Sequence, residues 1–385
     1  MTPTITQPLA LLGGLSPQLF LQRHWQKKPL FVRGAVPGLG PLLSRAELFE
    51  LAARDGVESR LVVRSGGHWK MRSGPLPRRS LPPLSQPDWT LLVQGVDLHH
   101  DGAHALLSQF RFLPDARLDD LMISWASDGG GVGPHFDSYD VFLLQAHGRR
   151  QWRIGRQKNL ELQQGVPLKI LANFEPQRDY LLEPGDMLYL PPGYAHEGIA
   201  RGECQTYSIG FRAPARGDLA RELLQRLAED AGETAGAALY RDAGATAVES
   251  PAGIPAGLQQ FAADAVRAAL SEPLALNRAL GESLTEPKAN VWFDAARAPR
   301  TLGAVALDRR SRMMHDAQHV FLNGESWRAS GRDATLMRRL ADRRELSAAD
   351  VGRASEGAIE LLRDWCEAGW LHPQQELGNG RRSGH

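Results

Sequence analysis

Hydrophobic positions along this chain change their period twice. Between about Leu15 and Arg212 they come in short β-branched or alternating runs punctuated by Gly, Pro and Asp. Leu61-Val62-Val63, Trp89-Thr90-Leu91-Leu92-Val93 and Tyr207-Ser208-Ile209-Gly210-Phe211 are examples. This texture predicts a mainly β region. Two helices precede it, Pro17 to Trp25 and Ser44 to Asp55. The second opens on a Ser cap with Glu47 three residues later, the sequence form of a capping box. After Pro214 the period becomes helical and the composition alanine-rich. Leu219, Leu223, Leu224 and Leu227 recur on one stripe, and Leu258, Phe261, Ala265 and Val266 on another. Such stripes need a partner, either the β region or a second subunit.

From about Leu302 the texture shifts again. Met337 and Leu340 mark one helix. Ser347-Ala348-Ala349-Asp350 opens another, whose inner face carries Ile359, Leu362 and Cys366 before Gly369 ends it. With the short strand His319-Val320-Phe321-Leu322 and the turn Asn323-Gly324, this resembles a small winged-helix module. The expected division is a β-rich domain over 1–214, a helical region over 215–300 and a winged-helix-like domain over 301–385, with no internal repeat.

Composition narrows the setting. The chain has 385 residues, long enough for more than one core. Lys plus Arg total 45 against 44 Asp plus Glu, so no global field draws the protein to nucleic acid or an anionic membrane. The start, Met1 to Gln7, lacks a basic segment followed by a long apolar run, and no later segment approaches membrane-spanning length. A soluble, cytoplasmic protein is expected. Cys204 and Cys366 are the two cysteines and form no CxxC pair, which argues against a disulfide framework or a thiolate zinc site.

The chemistry concentrates in two runs. Gly133-Pro134-His135-Phe136-Asp137 contains an HxD triplet. On a strand, alternation points His135 and Asp137 the same way and Phe136 the other. Some sixty residues on, Pro184-Gly185-Asp186 reads as a turn, Met187 to Leu190 as a strand and Pro191-Pro192-Gly193 as a second turn delivering His196. Two histidines and one carboxylate on a small β-barrel make the ligand complement of a non-haem Fe(II) oxygenase, which leaves positions open for a bidentate 2-oxoacid and O2. A lone HxD arises often as a surface strand or a satisfied hydrogen-bond pair. The glycine turns around this one, Gly129-Gly130-Gly131 among them, favour the metal.

In Arg149-Arg150-Gln151-Trp152-Arg153-Ile154, alternation places Arg150 on an apolar face with Trp152 and Ile154. A buried guanidinium needs an anion, because an unpaired one costs several kcal/mol. Spacing alone does not choose between an internal carboxylate and the far carboxylate of 2-oxoglutarate. The position after an HxD strand favours the latter, held in bidentate geometry. Thr206 and Ser208 share a face on the last barrel strand and can add hydroxyl contacts, or serve simply as β-formers. Trp152, Phe142 and Leu144 are expected to line a dry pocket.

These residues resemble a known family. The run Trp25 to Ala35, the His135/Asp137 pair, Arg149 to Trp152 and Pro184 to His196 resemble the JmjC branch of the Fe(II)/2-oxoglutarate oxygenases. Asp120 to Ser124, Gly129 to Asp137, Tyr139 to Phe142, His196 to Gly198 and Ser208 to Pro214 narrow the resemblance to the bacterial ribosomal oxygenases. That resemblance implies a double-stranded β-helix (a cupin/JmjC jelly roll) with flanking helices, then a helical dimerisation segment and a carboxy-terminal winged helix. It implies hydroxylation of the β-carbon of an arginine in the sixteenth large-subunit ribosomal protein, and a homodimer. It makes His135, Asp137 and His196 the iron ligands and Arg150 the anchor of the far 2-oxoglutarate carboxylate, while Thr206 and Ser208 stand as cofactor contacts on strand alternation alone. Asp128, Tyr139 and Ser208 are candidates by position for contacts to the target side chain, the alternatives being that Asp128 serves the glycine turn and Tyr139 the core.

Other classes remain open at this point. These are a hydroxylase of a His or Asn side chain, a non-oxidative cupin, and a non-catalytic winged-helix protein that binds nucleic acid or protein. The arginines at 338, 339, 343 and 344 are diluted by Asp342, Glu345 and Asp350, so direct nucleic-acid binding is not expected.

Overall fold

The computed structural model describes residues 5–374, and the expected winged-helix segment beyond Gln374 lies outside them. The chain divides into two compact units, one of residues up to Ala213 with Ala289–Trp292, the other of Pro214–Lys288 with the chain from Phe293 onward. Segments 215–300 and 301–385, distinct in texture, thus fall largely within the second unit. No helix among the described residues is long and apolar enough to cross a membrane.

The first unit carries helices α1 (Pro17–Arg23), α2 (Arg45–Ala52) and α3 (Asp101–Ser108). Its strands are β1 (Leu30–Val32), β2 (Ser59–Ser65), β3 (His68–Ser73), β4 (Trp89–Val93), β5 (Leu118–Ala126), β6 (His135–Phe136), β7 (Asp140–Gly155), β8 (Arg178–Leu182), β9 (Met187–Leu190) and β10 (Ala195–Phe211). Both predicted helices are present, each shorter at its carboxy end. Ser44 and Glu47 form the reciprocal capping box that starts α2.

All strand pairs are antiparallel, in the order β1-β9-β7-β10-β5-β4-β2-β3, with β8 added to β7 and β6 to β10. The long strands β7 and β10 change partners midway. β7 pairs with β9 over Val141 to Leu144 and with β8 over Arg150 to Ile154. β10 starts against β6 and continues against β5 from Cys204. Two strands that pass from one layer to the other make the double-stranded β-helix, or jelly roll.

One face of this sheet lies under the helices, where Phe20, Trp25, Phe142, Tyr189 and Phe211 form an aromatic cluster with neighbouring centroids 4.9–6.4 Å apart. Asp140 ties it together. Its buried carboxylate accepts from the Tyr189 hydroxyl at 2.6 Å, from Gln26 at 3.2 Å and from Arg117 at 3.2 Å. The opposite face lines the jelly-roll interior.

One expectation fails here. Phe142 and Leu144 belong to the cluster under the helices, and the residues on the interior face are Val141 and Leu143. Simple alternation from Arg150, Trp152 and Ile154 puts the even-numbered residues inside along all of β7. A bulge breaks it. Ala146 is an extra β7 residue between the partners of Gln205 and Thr206, which are adjacent on β10. One extra residue reverses the faces, so odd residues point inward before it and even ones after it. Gly148 completes the bend at φ +62°, where a Cβ would stand 2.0 Å from the Glu203 carbonyl oxygen.

The second unit contains α4 (Arg216–Ala235), α5 (Ala256–Ala269) and α6 (Ala275–Thr285), then β11 (Val305–Leu307), β12 (Met313–His315), β13 (His319–Leu322), β14 (Glu325–Arg328), α7 (Gly331–Arg343), β15 (Glu345–Leu346), α8 (Ala348–Val351), α9 (Glu356–Glu367) and β16 (Leu371–Pro373). β13 and β14 meet through Asn323 at φ +51° and Gly324 at φ +90°, the two left-handed positions a tight hairpin turn requires. Leu336, Met337, Leu340, Leu362, Trp365 and Cys366 form the winged-helix core.

The single helix expected from Ser347 to Gly369 is two. Gly352 ends α8, and Ser355 caps a new start by accepting the Ala358 N–H at 3.2 Å. The break rotates the inner face, so Ile359 is half-buried while Ala358, Leu362, Trp365 and Cys366 are buried. The α5 stripe stays largely open, whereas on α4 Leu223 is buried, Leu219 and Leu227 are half-buried and Leu224 is exposed. Leu224 is 57% and Val266 61% exposed, and α5 buries none of its residues.

Candidate metal centre

β6 lies against the start of β10 with His135 directly opposite His196, and Asp137 follows one residue after β6 ends. The backbone N–H of Gly193, in the turn before β10, donates to the Asp137 carbonyl at 2.8 Å and fixes the two ligand-bearing segments together. One ligand atom from each of His135, Asp137 and His196 can be chosen so that all lie within 4.8 Å of one another. The imidazole centroids are 4.2 Å apart, and His196 Nε2 is 3.7 Å from Asp137 Oδ2.

The outer hydrogen bonds set the tautomers. His135 Nδ1 faces the Gly133 carbonyl at 2.9 Å and His196 Nδ1 faces the Tyr194 carbonyl at 2.9 Å. A carbonyl only accepts, so each Nδ1 carries the proton and each Nε2 keeps its lone pair for an ion. Burial, reinforced by the neighbouring His135, lowers the His196 pKa to about 4. The ring is therefore neutral at physiological pH, the form that binds metal. Two imidazoles and a carboxylate on one side suit an octahedral divalent ion such as Fe(II) and leave room for further ligands.

Arg150 lies deeper on the same interior face, 4% exposed. Its Nη1 donates to Ser124 Oγ at 2.9 Å and to Thr206 Oγ1 at 3.2 Å, while Thr206 donates to Gln145 Oε1 at 2.9 Å. The guanidinium carbon sits 5.4 Å from the Trp152 ring centroid. Gly198 makes the space, since a Cβ there would meet the Trp152 ring at 2.7 Å and Arg150 Nε at 3.0 Å. Burial works against the charge, Nε has no partner, and no described carboxylate forms an ion pair with Arg150. The internal counter-ion left open by spacing is therefore absent among the described residues. The site calls for an anion brought by a ligand.

The triad, Arg150, Ser124, Thr206 and Ser208 border one cavity of about 80 Å³. It adjoins a wider one of about 430 Å³, lined among others by Asp119, Asp120, Met122, Tyr139 and Ser208. Tyr139 is thus at the mouth. Burial raises the pKa of its hydroxyl, with the Asp137, Asp120 and Asp119 charges adding to the effect. Asp128 is not brought there. Its carboxylate accepts the Gly202 N–H at 2.8 Å and its carbonyl the Asp88 N–H at 2.9 Å, so it secures turns. Sequence reasoning passed over Ser124, Met122 and Asp120. The signal was present, because alternation along β5 puts all three on the face opposite Leu121, Ile123 and Trp125.

Comparison with known proteins agrees with this geometry. Residues 105–219 match the JmjC domain model and residues 265–372 the ROXA-like winged helix. The chain is 46% identical over 198 residues to the ribosomal protein uL16 3-hydroxylase of Escherichia coli, an alignment covering 51% of this chain and 52% of that protein. It is 35% identical over 218 residues to a probable ribosomal oxygenase of Haemophilus influenzae, covering 56% and 54%. These alignments span about half the length of the curated relatives. The structural match is longer. The E. coli ribosomal oxygenase YcfD, solved in complex with cobalt and 2-oxoglutarate, superposes with a TM-score of 0.76 at 31% identity, over 94% of this chain and 99% of that one. Built on the same jelly roll, followed by the same winged helix, the chain belongs to the JmjC-domain ribosomal oxygenases.

Proposed function

We propose that this protein is an Fe(II)- and 2-oxoglutarate-dependent hydroxylase that adds a hydroxyl group to the β-carbon of an arginine in the large-subunit ribosomal protein uL16. The observation that carries the reading is Arg150, a buried guanidinium without a carboxylate partner among the described residues, beside a His-Asp-His triad on the same interior face. A dicarboxylate that chelates the ion with its 2-oxoacid end and reaches Arg150 with the other satisfies both.

His135, Asp137 and His196 would hold the iron. When bound, iron with 2-oxoglutarate and O2 supplies the oxidising power to insert oxygen into an unactivated C–H bond. The chain's own residues bind, orient and exclude water. Ser124 and Thr206 fix the Arg150 guanidinium, so the cosubstrate is placed before it is consumed. Val141, Leu143 and Trp152 supply apolar wall to the inner cavity between its polar groups. At the mouth the Tyr139 ring offers a face to a cationic side chain, beside Asp119, which pairs with Arg212, and Asp120, which accepts the Gly95 N–H.

The open stripe of α5, with Leu258, Phe261 and Val266 exposed, and the exposed Leu224 of α4 support a homodimer. The winged helix is read as a protein-contact module. Arg339 pairs with Asp350, Arg338 donates to the Ala317 carbonyl and Arg344 to two others, which spends most of its basic cluster internally.

The test is mass spectrometry of uL16 after incubation with the protein, Fe(II), 2-oxoglutarate and air. Addition of one oxygen to an arginine, dependent on 2-oxoglutarate, is expected. Succinate formation without that addition would retain the oxygenase and reject the target.

A further inference from the structure

β3 is the terminal strand of the catalytic sheet, paired on one side with β2 and on the other with nothing among the described residues. The direction of its free backbone groups follows from two bonds. Gly74 N–H donates to the Ser59 carbonyl at 2.7 Å, so odd residues of β2 and even residues of β3 exchange the ladder bonds. Arg64 N–H donates instead to the Asp88 carbonyl at 2.8 Å, which turns even residues of β2 toward β4. By alternation, Trp69, Met71 and Ser73 present their N–H and C=O groups along the open edge, and no partner for them occurs among the described residues.

The same three residues share a face with Val62 and Arg60, and Met71 and Arg60 line the 430 Å³ cavity that also contains His135 and Asp137. Pro167, Leu168 and Lys169 form part of the lining as well. We propose that β3 is a docking edge for the extended backbone of the protein substrate, added antiparallel as one more strand. In such a pair, residues directly opposite each other lie on the same face. A substrate residue opposite Met71 therefore sends its side chain into the cavity, and its neighbours two positions away face Trp69 and Ser73. Backbone bonds grip any extended segment; the cavity selects the side chain.

A second copy of β3 is the poorer occupant. Antiparallel self-pairing about Met71 would set the exposed Lys70 of one copy opposite Arg72 of the other, a like-charge contact that destabilises a ladder.

This inference rests on the protein-hydroxylase reading. The experiment uses the full chain loaded with Mn(II) and 2-oxoglutarate under nitrogen, and measures its affinity for a uL16 peptide spanning the modified arginine. Backbone N-methylation two residues before or after the arginine is expected to weaken binding about 5- to 10-fold, and methylation at the adjacent residues less than about twofold. Met71→Pro, which removes an outward N–H without touching the ladder to β2, is expected to weaken the peptide similarly while 2-oxoglutarate affinity holds; Met71→Leu restores it. A flat methylation profile with a peptide that binds and is hydroxylated overturns the docking edge alone. A peptide that the unaltered protein neither binds nor hydroxylates rejects the substrate reading, and the edge proposal falls with it. Loss of self-association in Met71→Pro would assign the edge to a second copy and equally overturn the proposal.

Discussion

Two buried charges, Asp308 in one unit and Arg150 in the other, are treated in opposite ways. In the winged-helix unit, Asp308 is 7% exposed and fully served. It accepts the Arg310 backbone N–H at 2.8 Å, the Arg310 guanidinium at 2.8 and 3.0 Å, and His372 Nε2 at 2.8 Å. In the jelly roll, Arg150 is buried at least as deeply, yet its hydrogen-bond partners are two neutral hydroxyls and it has no ion pair among the described residues. Burying a charge is costly either way. Where the chain supplies the counter-ion, the charge is structural; where it withholds one, the charge is held ready for a ligand.

The comparison breaks most readily at Arg150. Arg150→Met, which keeps length and volume without the charge, is expected to lower 2-oxoglutarate affinity by about 100-fold or more. Removing an unpaired buried charge should leave the melting temperature of the ligand-free protein unchanged or raise it. Titration calorimetry with 2-oxoglutarate on the Mn(II)-loaded protein, beside a thermal melt, reads both. A sharply lower melting temperature with affinity unchanged would make Arg150 a structural charge like Asp308 and remove the argument for an anionic cosubstrate.

At Asp308 the signs reverse. Burial alone would raise its pKa, but hydrogen bonds from Arg310 and His372 outweigh burial and hold the carboxyl well below the usual carboxylate range. A carboxylate depressed on folding contributes stability that is complete above about pH 4, its unfolded pKa, and is lost as pH falls further. Asp308→Asn should therefore cost the winged-helix unit about 2 kcal/mol at pH 7 and less at pH 3, with 2-oxoglutarate affinity unchanged. Urea unfolding at the two pH values tests this. An equal cost at both would place the stabilisation in packing and not in charge.

How much of this contrast was legible beforehand depended on distance along the chain. Period-two alternation found the faces of β10 and of the second half of β7, so Arg150, Thr206 and Ser208 were read correctly as neighbours. The turn chemistry around Pro184 to Gly193 placed His196. Both are local properties of backbone geometry. Phe142 and Leu144 were misplaced because the reversal at Ala146 depends on β10 supplying one fewer residue opposite, a fact of pairing between segments sixty residues apart. The choice between a turn role and a target contact for Asp128 was left open for a related reason. The turn that Asp128 secures closes through Gly202, far away in sequence. The absence of a counter-ion for Arg150 among the described residues, which decides the reading of the site, could not be seen in the sequence, since any distant carboxylate could have supplied it.

The finest separation is between two polar residues that sequence reasoning treated alike as site candidates. Thr206 Oγ1 accepts from Arg150 and donates to Gln145, so it relays a fixed orientation to the guanidinium. Thr206→Val conserves shape and removes both bonds, and is expected to weaken 2-oxoglutarate binding about 5- to 10-fold. Asp128→Ala removes one bond to the Gly202 turn, outside both cavities, and should change affinity and turnover by less than about twofold. Equal losses in the two variants would mean that the Gly202 turn positions β10 as firmly as Thr206 positions Arg150. The readiness of Arg150 would then depend on the bend of the long strands, and its hydroxyl neighbours would be secondary.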